Sequence, residues 1–270
     1  HKQLPAVVVQ DEKKSAVASP MLHAIGLTNC RNSLFERLYE KYRHREDIVA
    51  MLNHQGRMHP DIAAFASRLF YENRLLPVGL PHQKENLLFT NYDEADSIET
   101  LVATRRCAFV HVPRPSFEDY MPKANVLEAQ RIAQIVKKIC IVHQKNGISF
   151  DPSRQLGIIV PYRRQIATVH TEVANLLSEC GMGNSSQLLI DTVERFQGSQ
   201  RDIIIYGTTI VQYYELERLS ELVTIGGTLV DRKLNVAITR ARKQFIMLGN
   251  EQLLSQNVLY SQLIDFCKGR

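Results

Sequence analysis

No apolar run in the 270 residues reaches the roughly 18 needed to span a membrane as a helix, so a membrane partner is not expected. The start, His1-Lys-Gln-Leu-Pro5, has no initiator Met and no signal-peptide pattern. It reads as an excised piece of a longer intracellular polypeptide, cytoplasmic, or nuclear if eukaryotic. The five cysteines (Cys30, Cys107, Cys140, Cys180 and Cys267) are far apart and include no C-x-x-C pair. That argues against a disulfide framework or a zinc site, and reduced, mostly buried thiols are expected. His54 and His59 are isolated from other ligand types, so no metal site is expected. Tandem repeats and low-complexity tracts are absent. What is there is ordinary for a globular protein: 44% hydrophobic, 23% charged, net charge +5. The length suits one large or two small domains, and the charge mildly favours a polyanion partner.

Along the chain, residues 1 to about 27 are loop-rich, with an apolar stretch at Val7-Val8-Val9. Ser33-x-x-Glu36 has the form of a capping box. It opens a helix whose apolar stripe is Leu34, Phe35, Leu38, Tyr39 and Tyr42, and the basic run Lys41–Arg45 suits that helix's C-terminus. Ile48 to Leu52 reads as a strand. After Pro60, the residues Ile62, Phe65, Ala66, Leu69 and Phe70 recur with the period of an amphipathic helix. Residues 77–106 are polar and irregular, which predicts a surface loop or insertion.

From Cys107 onward strands and helices alternate. The strands expected are Cys107–Val112, Leu156–Val160, Gln187–Ile190, Asp202–Thr208 and Phe245–Leu248. Helices are expected through Ile132–Cys140, with Gly147 beyond the end, and over Tyr162–Ser178, Arg232–Arg242 and Val258–Cys267. Short, nearly continuous apolar strands alternating with helices predict an α/β fold, a mainly parallel sheet covered on both faces. Such sheets place ligands at the carboxyl ends of their strands. Pro161-Tyr-Arg163 and Asp191-Thr192 follow two of those ends.

Four separated motifs carry the chemistry. They are His1-Lys-Gln-Leu-Pro5, Gln55-Gly-Arg-Met-His-Pro60, Asp191-Thr-Val-Glu-Arg-Phe-Gln-Gly198 and Leu234-Asn-Val-Ala-Ile-Thr-Arg-Ala-Arg242. Their order and spacing resemble the C-terminal half of superfamily 1 helicases. The branch resembled is the 5′ to 3′ one, which includes the nonsense-mediated-decay RNA helicase and the replication helicase-nucleases. Ser33-Leu-Phe-Glu-Arg37, Phe70-Tyr71, Asn125 with Glu128, and Gly157-Ile-Ile-Val-Pro-Tyr162 extend the likeness over nearly the whole chain. The resemblance implies a RecA-like fold of the phosphate-loop NTPase type. Residues 1–27 would end a first motor domain and its linker, and 28–270 would form the second. It also implies ATP with Mg2+, bound mainly by a first RecA-like domain of the same polypeptide, and single-stranded DNA or RNA as partner. A monomer is expected. No G-x-x-x-x-G-K-[ST] phosphate loop occurs in the 270 residues, nor an Asp-Glu pair directly joined to an apolar strand like the metal-binding motif of the resembled family; Asp11-Glu12 is set off from Val7-Val8-Val9 by Gln10.

By resemblance, Arg240 is an arginine finger, Arg57 a second phosphate-contacting arginine, and Gln3 a sensor of the terminal phosphate. Arginine suits the task because its planar fork stays charged and donates paired hydrogen bonds. Phosphoryl transfer is catalysed chiefly by positioning and charge neutralisation. Outside such motifs the same arginines would be surface salt-bridge partners. Arg242, Gly198, Gln200 and Gly56 fall on the nucleotide side of the resemblance. Thr192 is expected to hold a nucleic-acid phosphate, or else to cap the turn after its strand. Tyr162 and Arg163 would touch either the strand or a domain interface. Gln197-Gly198 resembles the turn that couples nucleotide state to strand grip, although Gly198 also suits a positive φ alone. Phe196 is expected in the core.

Two departures stand out. The resembled motif carries tyrosine, packed on adenine, where this chain has Gly56. It carries an acid near the ribose where this chain has Gln200. Both changes fall on base and sugar, so hydrolysis is expected to be kept and adenine selectivity weakened. The leading expectation is the second motor domain of an ATP-dependent helicase or translocase, inactive as this fragment alone. The alternative is a degenerate motor that binds nucleic acid or protein without unwinding. An unrelated α/β nucleotide-binding domain leaves the order of the four motifs unexplained.

Overall fold

The computed structural model describes residues 16–30, 33–86, 89–179, 188–225 and 227–269. Gln3, the His1–Pro5 motif, Val7–Val9 and Cys180 lie outside the described residues. The chain divides into two compact units, one ending at Asn53 and one running from His54.

In the first unit, α1 spans Pro20–Ala24 and α2 spans Leu34–Tyr42. The capping box forms as the sequence predicts: the Glu36 amide donates to the Ser33 hydroxyl at 3.1 Å, and the Ser33 amide donates to the Glu36 carboxylate at 3.0 Å. The stripe residues Leu34, Phe35 and Leu38 are exposed rather than buried. The strand expected over Ile48–Leu52 does not form. Among the described residues no chain segment pairs with it, and an unpaired strand leaves its backbone polar groups unsatisfied by any ladder. Its turn-and-coil path leaves Leu52 90% exposed.

The second unit is built on five parallel strands. In chain order they are β3 (Cys107–His111), β4 (Leu156–Ile159), β5 (Leu189–Asp191), β6 (Arg201–Gly207) and β9 (Ala241–Gly249), with spatial order β3-β9-β6-β4-β5. The central strands are continuous apolar runs because both sheet faces are covered. Leu156 through Val160 and Ile204 through Gly207 are buried throughout. On one face Ile158, Ile203, Ile205, Ile246 and Leu248 join a core with α5 (Ser97–Thr104), α6 (Val126–Lys145) and α8 (Arg163–Glu179). Helices α3 (Pro60–Phe70), α10 (Arg232–Ile238) and α12 (Val258–Lys268) pack on the other face. There the Tyr206 and Tyr260 hydroxyls bond at 3.0 Å within the core. No helix of the described residues is long and apolar enough to cross a membrane. The described cysteines are free; Cys107 and Cys267 are buried, Cys140 is half-buried and Cys30 is exposed.

Two expectations are corrected here and one element pair is new. Residues 77–106 are not a surface loop throughout: they hold α4 (Pro81–Lys84) and α5. Asp96 caps α5 by accepting from the Ile98 and Glu99 amides at 3.0 and 2.9 Å, and Val102 and Ala103 are fully buried. The helix was obscured because it is short and its lead-in, Tyr92-Asp-Glu-Ala-Asp96, is polar. Arg232–Arg242 is not one helix. The turns end at Ile238, where the Thr239 hydroxyl reaches the Asn235 carbonyl at 2.6 Å, and β9 begins at Ala241. Finally, β7 (Leu222–Ile225) and β8 (Thr228–Asp231) form an antiparallel pair that the sequence reading does not include. The small elements β1 (His54–Gln55), β2 (Leu76–Pro77), α7 (Pro152–Gln155), α9 (Leu216–Leu219) and α11 (Glu251–Leu254) complete this unit, with a 3-10 turn at Tyr213–Glu215.

Candidate phosphate-facing site

Ending the helix at Ile238 puts Arg240 in the turn between α10 and β9. Buried Asp231 fixes the start of α10 by accepting from the Lys233 and Leu234 amides at 3.0 and 3.1 Å. A cap of this kind is worth about 1 kcal/mol. Its carboxyl also accepts from the Glu221 amide at 3.1 Å, and burial pushes its pKa up to about 6. Arg240 is 2% exposed. Its Nε donates to the Val236 carbonyl at 3.2 Å, Nη1 to the Ser199 carbonyl at 3.4 Å, and Nη2 to the Thr239 hydroxyl at 3.2 Å.

Arg57 comes from a loop far away in sequence. Gln55 holds that loop, its side-chain oxygen accepting from the Arg57 and Met58 amides at 3.0 and 2.8 Å. From α4, His82 Nε2 meets the Arg57 carbonyl at 2.8 Å and the Gln83 amide donates to the Gln55 carbonyl at 2.9 Å. Sequence reasoning missed both supports. The polar segment around them concealed that α4 docks here. Arg57 Nε donates to the Gln200 side-chain oxygen at 2.9 Å and Nη1 to the Thr239 carbonyl at 3.1 Å.

Neither guanidinium has a carboxylate partner among the described residues. Burial, and after it the positive charge of Arg57, lower the pKa of Arg240 to about 10 against a raising contribution from Tyr71. Burial also lowers that of Arg57. Both remain charged near neutrality. Two adjacent cations, partly desolvated and satisfied only by neutral acceptors, favour a multivalent anion over solvent.

The remaining residues assigned to the nucleotide side divide. Gln200 belongs with Arg57, as its hydrogen-bond acceptor. Gly198 has φ +90° and open space around its Cα, as a turn requires. Arg242 lies inside β9; its Nη1 is tied to Asp202 at 2.7 Å and its Nη2 lies 3.5 Å from His82 Nδ1, the ring that also meets the Arg57 carbonyl. A Cβ at Gly56 would meet Leu80 Cδ1 at 3.2 Å and Val78 Cγ2 at 3.4 Å, so two half-exposed apolar side chains flank the place where the resembled motif has a ring.

Arg57, Gln200 and Arg240 all sit at the amino ends of β6 and β9. Thr192, Tyr162 and Arg163 sit at the carboxyl ends of β5 and β4, the opposite edge of the sheet. The segment from Thr192 to Gln200 crosses from one edge to the other. Phe196 anchors the crossing in the core, as expected, pressed against Gly157, where a Cβ would approach Phe196 Cε1 to 2.7 Å. The turn after Thr192 is closed by backbone groups: the Thr192 carbonyl accepts from the Phe196 amide at 3.1 Å, and the Asp191 carboxylate from the Thr192 amide at 2.8 Å. The Thr192 hydroxyl takes no partner among the described residues and does not cap this turn. Tyr162 is half-buried, and burial with nearby Glu215 raises its pKa. Arg163 is exposed and makes no ion pair among the described residues.

A buried carboxyl organises the same carboxyl edge. Glu128, fully buried in α6, accepts from the Thr209 amide at 2.9 Å and the Thr209 hydroxyl at 3.1 Å, holding a backbone with φ +58° just past β6. Burial raises its pKa to about 7 against these hydrogen bonds. Among the described residues no group of His, Cys, Asp or Glu could hold a metal ion.

A family model described as "AAA domain" matches residues 30–252. The chain therefore belongs to that family, the C-terminal region of superfamily 1 helicases. It is 27% identical over 271 residues to an uncharacterized ATP-dependent helicase of Methanocaldococcus jannaschii, covering 99% of this chain and 34% of that protein. It is 26% identical over 261 residues to the DNA polymerase alpha-associated DNA helicase A of Saccharomyces cerevisiae, covering 95% and 34%. It is 28% identical over 274 residues to the DNA replication ATP-dependent helicase/nuclease of Bos taurus, covering 95% and 22%. The chain thus spans between about a fifth and a third of the length of these relatives.

Proposed function

We propose that this chain is the second motor domain of an ATP-dependent nucleic-acid helicase or translocase. In this reading Arg240 is the arginine finger and Arg57 its companion. Both meet the terminal phosphates of ATP held by a first RecA-like domain of the same polypeptide, in a protein that works as a monomer. The observation that carries the proposal is the pair itself: two adjacent guanidiniums, Arg240 buried and Arg57 half-buried, with only neutral acceptors. A scaffold has no need of uncompensated cations, which cost stability where they are buried.

Arg240 would neutralise charge gathering on the transferred phosphoryl group, and Arg57 would hold the same phosphate chain from the other side. Gln3 is proposed to sense the terminal phosphate. Gln200 would keep the Arg57 fork aimed without cancelling its charge. ATP brings Mg2+, and the described residues offer that ion no cluster of ligands, so metal and phosphate loop are assigned to the first domain. The carboxyl edge, with Thr192, Tyr162 and Arg163, would contact single-stranded DNA or RNA through its backbone. The crossing from Thr192 to Gln200 links the two edges physically, which suits a motor in which nucleotide state alters strand grip. The protein would act inside the cell.

The test compares ATP turnover by the 270-residue chain with turnover by a protein in which it is joined to a phosphate-loop domain. Activity only in the joined protein, stimulated by single strands, is expected. Turnover by the chain alone that is lost in Arg240→Ala would contradict the division of labour. A joined protein that binds strands but never hydrolyses ATP would mark a degenerate motor.

A further inference from the structure

Aromatic rings stand exposed along the carboxyl edge with nothing in the described structure covering them. Phe117 is 96% exposed, Tyr213 60% and Tyr214 54%. Single exposed apolar residues are common and mean little. These are grouped. Phe117, Tyr120 and Tyr214 line one hollow of about 280 Å3, with Arg114 and Gln212 on its wall. Tyr213, the residue before Tyr214, lines a second hollow of about 470 Å3 together with Leu216, Glu217, Leu222 and Val258. The two tyrosines therefore form a ridge between two concave spaces.

The ridge is held in place before any ligand arrives. The Tyr120 and Tyr214 hydroxyls bond at 3.1 Å, and this contact raises the pKa of Tyr120 to about 12. The 3-10 turn that carries both ridge tyrosines is fixed by the Glu215 carboxylate, which accepts from the Val211 and Gln212 amides at 2.8 and 2.9 Å. Opposite, the loop bearing Phe117 is folded on itself: the Ser116 hydroxyl donates to Asp119 at 2.5 Å, and Met121 bridges Ala124.

The ridge also continues the surface already assigned to the strand. Phe117 and Tyr120 follow β3, Tyr213 and Tyr214 follow β6, Tyr162 and Arg163 follow β4, and Thr192 follows β5. In the spatial order of the strands these groups line one edge, about 19 Å across at the usual strand spacing. Tyr162 lies close enough to Tyr214 and Tyr120 for their hydroxyls to perturb one another. Around these rings, exposed Arg114, Lys123, Arg163, Arg164 and Arg218 outnumber the exposed acids Glu118, Asp119 and Glu217.

We infer that Phe117 and Tyr214 form a base-stacking site for an unpaired nucleotide, with Tyr120 as a positioning residue and Tyr213 offering a face to the neighbouring base. A planar base with a phosphate on either side matches flat rings bordered by arginines, and stacking of this kind tolerates any sequence. The inference rests on the proposed strand-binding role of the carboxyl edge.

The test uses the 270-residue chain at low salt with fluorescein-labelled single-stranded 15-mers of DNA and RNA, one set carrying 2-aminopurine and one with abasic positions. Wild type is expected to bind the intact strands and change 2-aminopurine fluorescence. Phe117→Ala and Tyr214→Ala should weaken binding about tenfold and abolish the fluorescence change, with affinity for the abasic strand and thermal midpoint unmoved. Tyr214→Phe should retain most of the binding. If wild type binds and the alanine variants bind equally well, the stacking site is wrong while the strand-binding role stands, and the patch serves a protein partner. If wild type binds no strand, the strand-binding role falls and the stacking site with it.

Discussion

Arg57 and Arg240 hold the same residue from two sides: Arg57 donates to the carbonyl of Thr239 at 3.1 Å and Arg240 to its hydroxyl at 3.2 Å. Residues separated by most of the domain in sequence are thereby locked to one short turn between α10 and β9. In the proposed role, a phosphate drawn to one fork would find the other beside it. The two cations disfavour one another, Arg57 lowering the pKa of Arg240, and a bound anion would relieve that repulsion.

Gln200 is central to that arrangement because it binds Arg57 without neutralising it. Gln200→Glu should convert the hydrogen bond into an ion pair. Nucleotide KM of the joined protein is expected to rise several-fold, with stability unchanged or slightly improved. A KM equal to wild type would show that Arg57 does not reach the nucleotide.

Gly56 leaves Val78 and Leu80, rather than a ring, beside the place where a base would lie. Aliphatic groups contact purines with little discrimination. ATP and GTP should therefore be hydrolysed at rates within about fivefold, the factor that a base contact of roughly 1 kcal/mol is worth. Strict preference for ATP would mean that another group reads the base.

Glu128 supplies a pH signature. Its folded pKa of about 7 lies above the ordinary 4.5, so the folded chain binds this proton more tightly than the unfolded chain does. The contribution to stability is full below about pH 4.5, falls as pH rises toward 7, and is level beyond. Glu128→Gln removes the titration. Measured as the difference from wild type in urea unfolding, its relative stability should improve by on the order of 3 kcal/mol between pH 4.5 and 7. A difference that does not vary with pH would contradict this.

Where the sequence was legible, a local signal had a single structural solution. Continuous apolar runs such as Leu156–Val160 demand a sheet covered on both sides, and Ser33 with Glu36 demands a cap. Arg57 and Arg240 stood out through their motifs, although no spacing rule brings them together: their meeting depends on Gln55, His82 and Gln83, from a stretch whose polarity suggested a loop. Thr239 explains why periodicity overran the end of α10, since its hydroxyl closes the helix where the apolar pattern continues into β9. Arg242 illustrates the opposite difficulty. It sits two residues from Arg240, yet the strand turns it toward Asp202, a partner that sequence alone could not identify. The expectation for Ile48–Leu52 failed because apolar, β-branched composition favours a strand only where a neighbour is available.

The central claim is that Arg240 serves phosphoryl transfer. In the protein joining this domain to its phosphate-loop partner, strand-stimulated ATP turnover should be measured for wild type, Arg240→Ala and Arg240→Lys. A fall in kcat of about 10³-fold or more in both variants, with strand affinity unchanged, is predicted, because lysine cannot reproduce the fork. Turnover within a few-fold of wild type in Arg240→Ala would contradict the account.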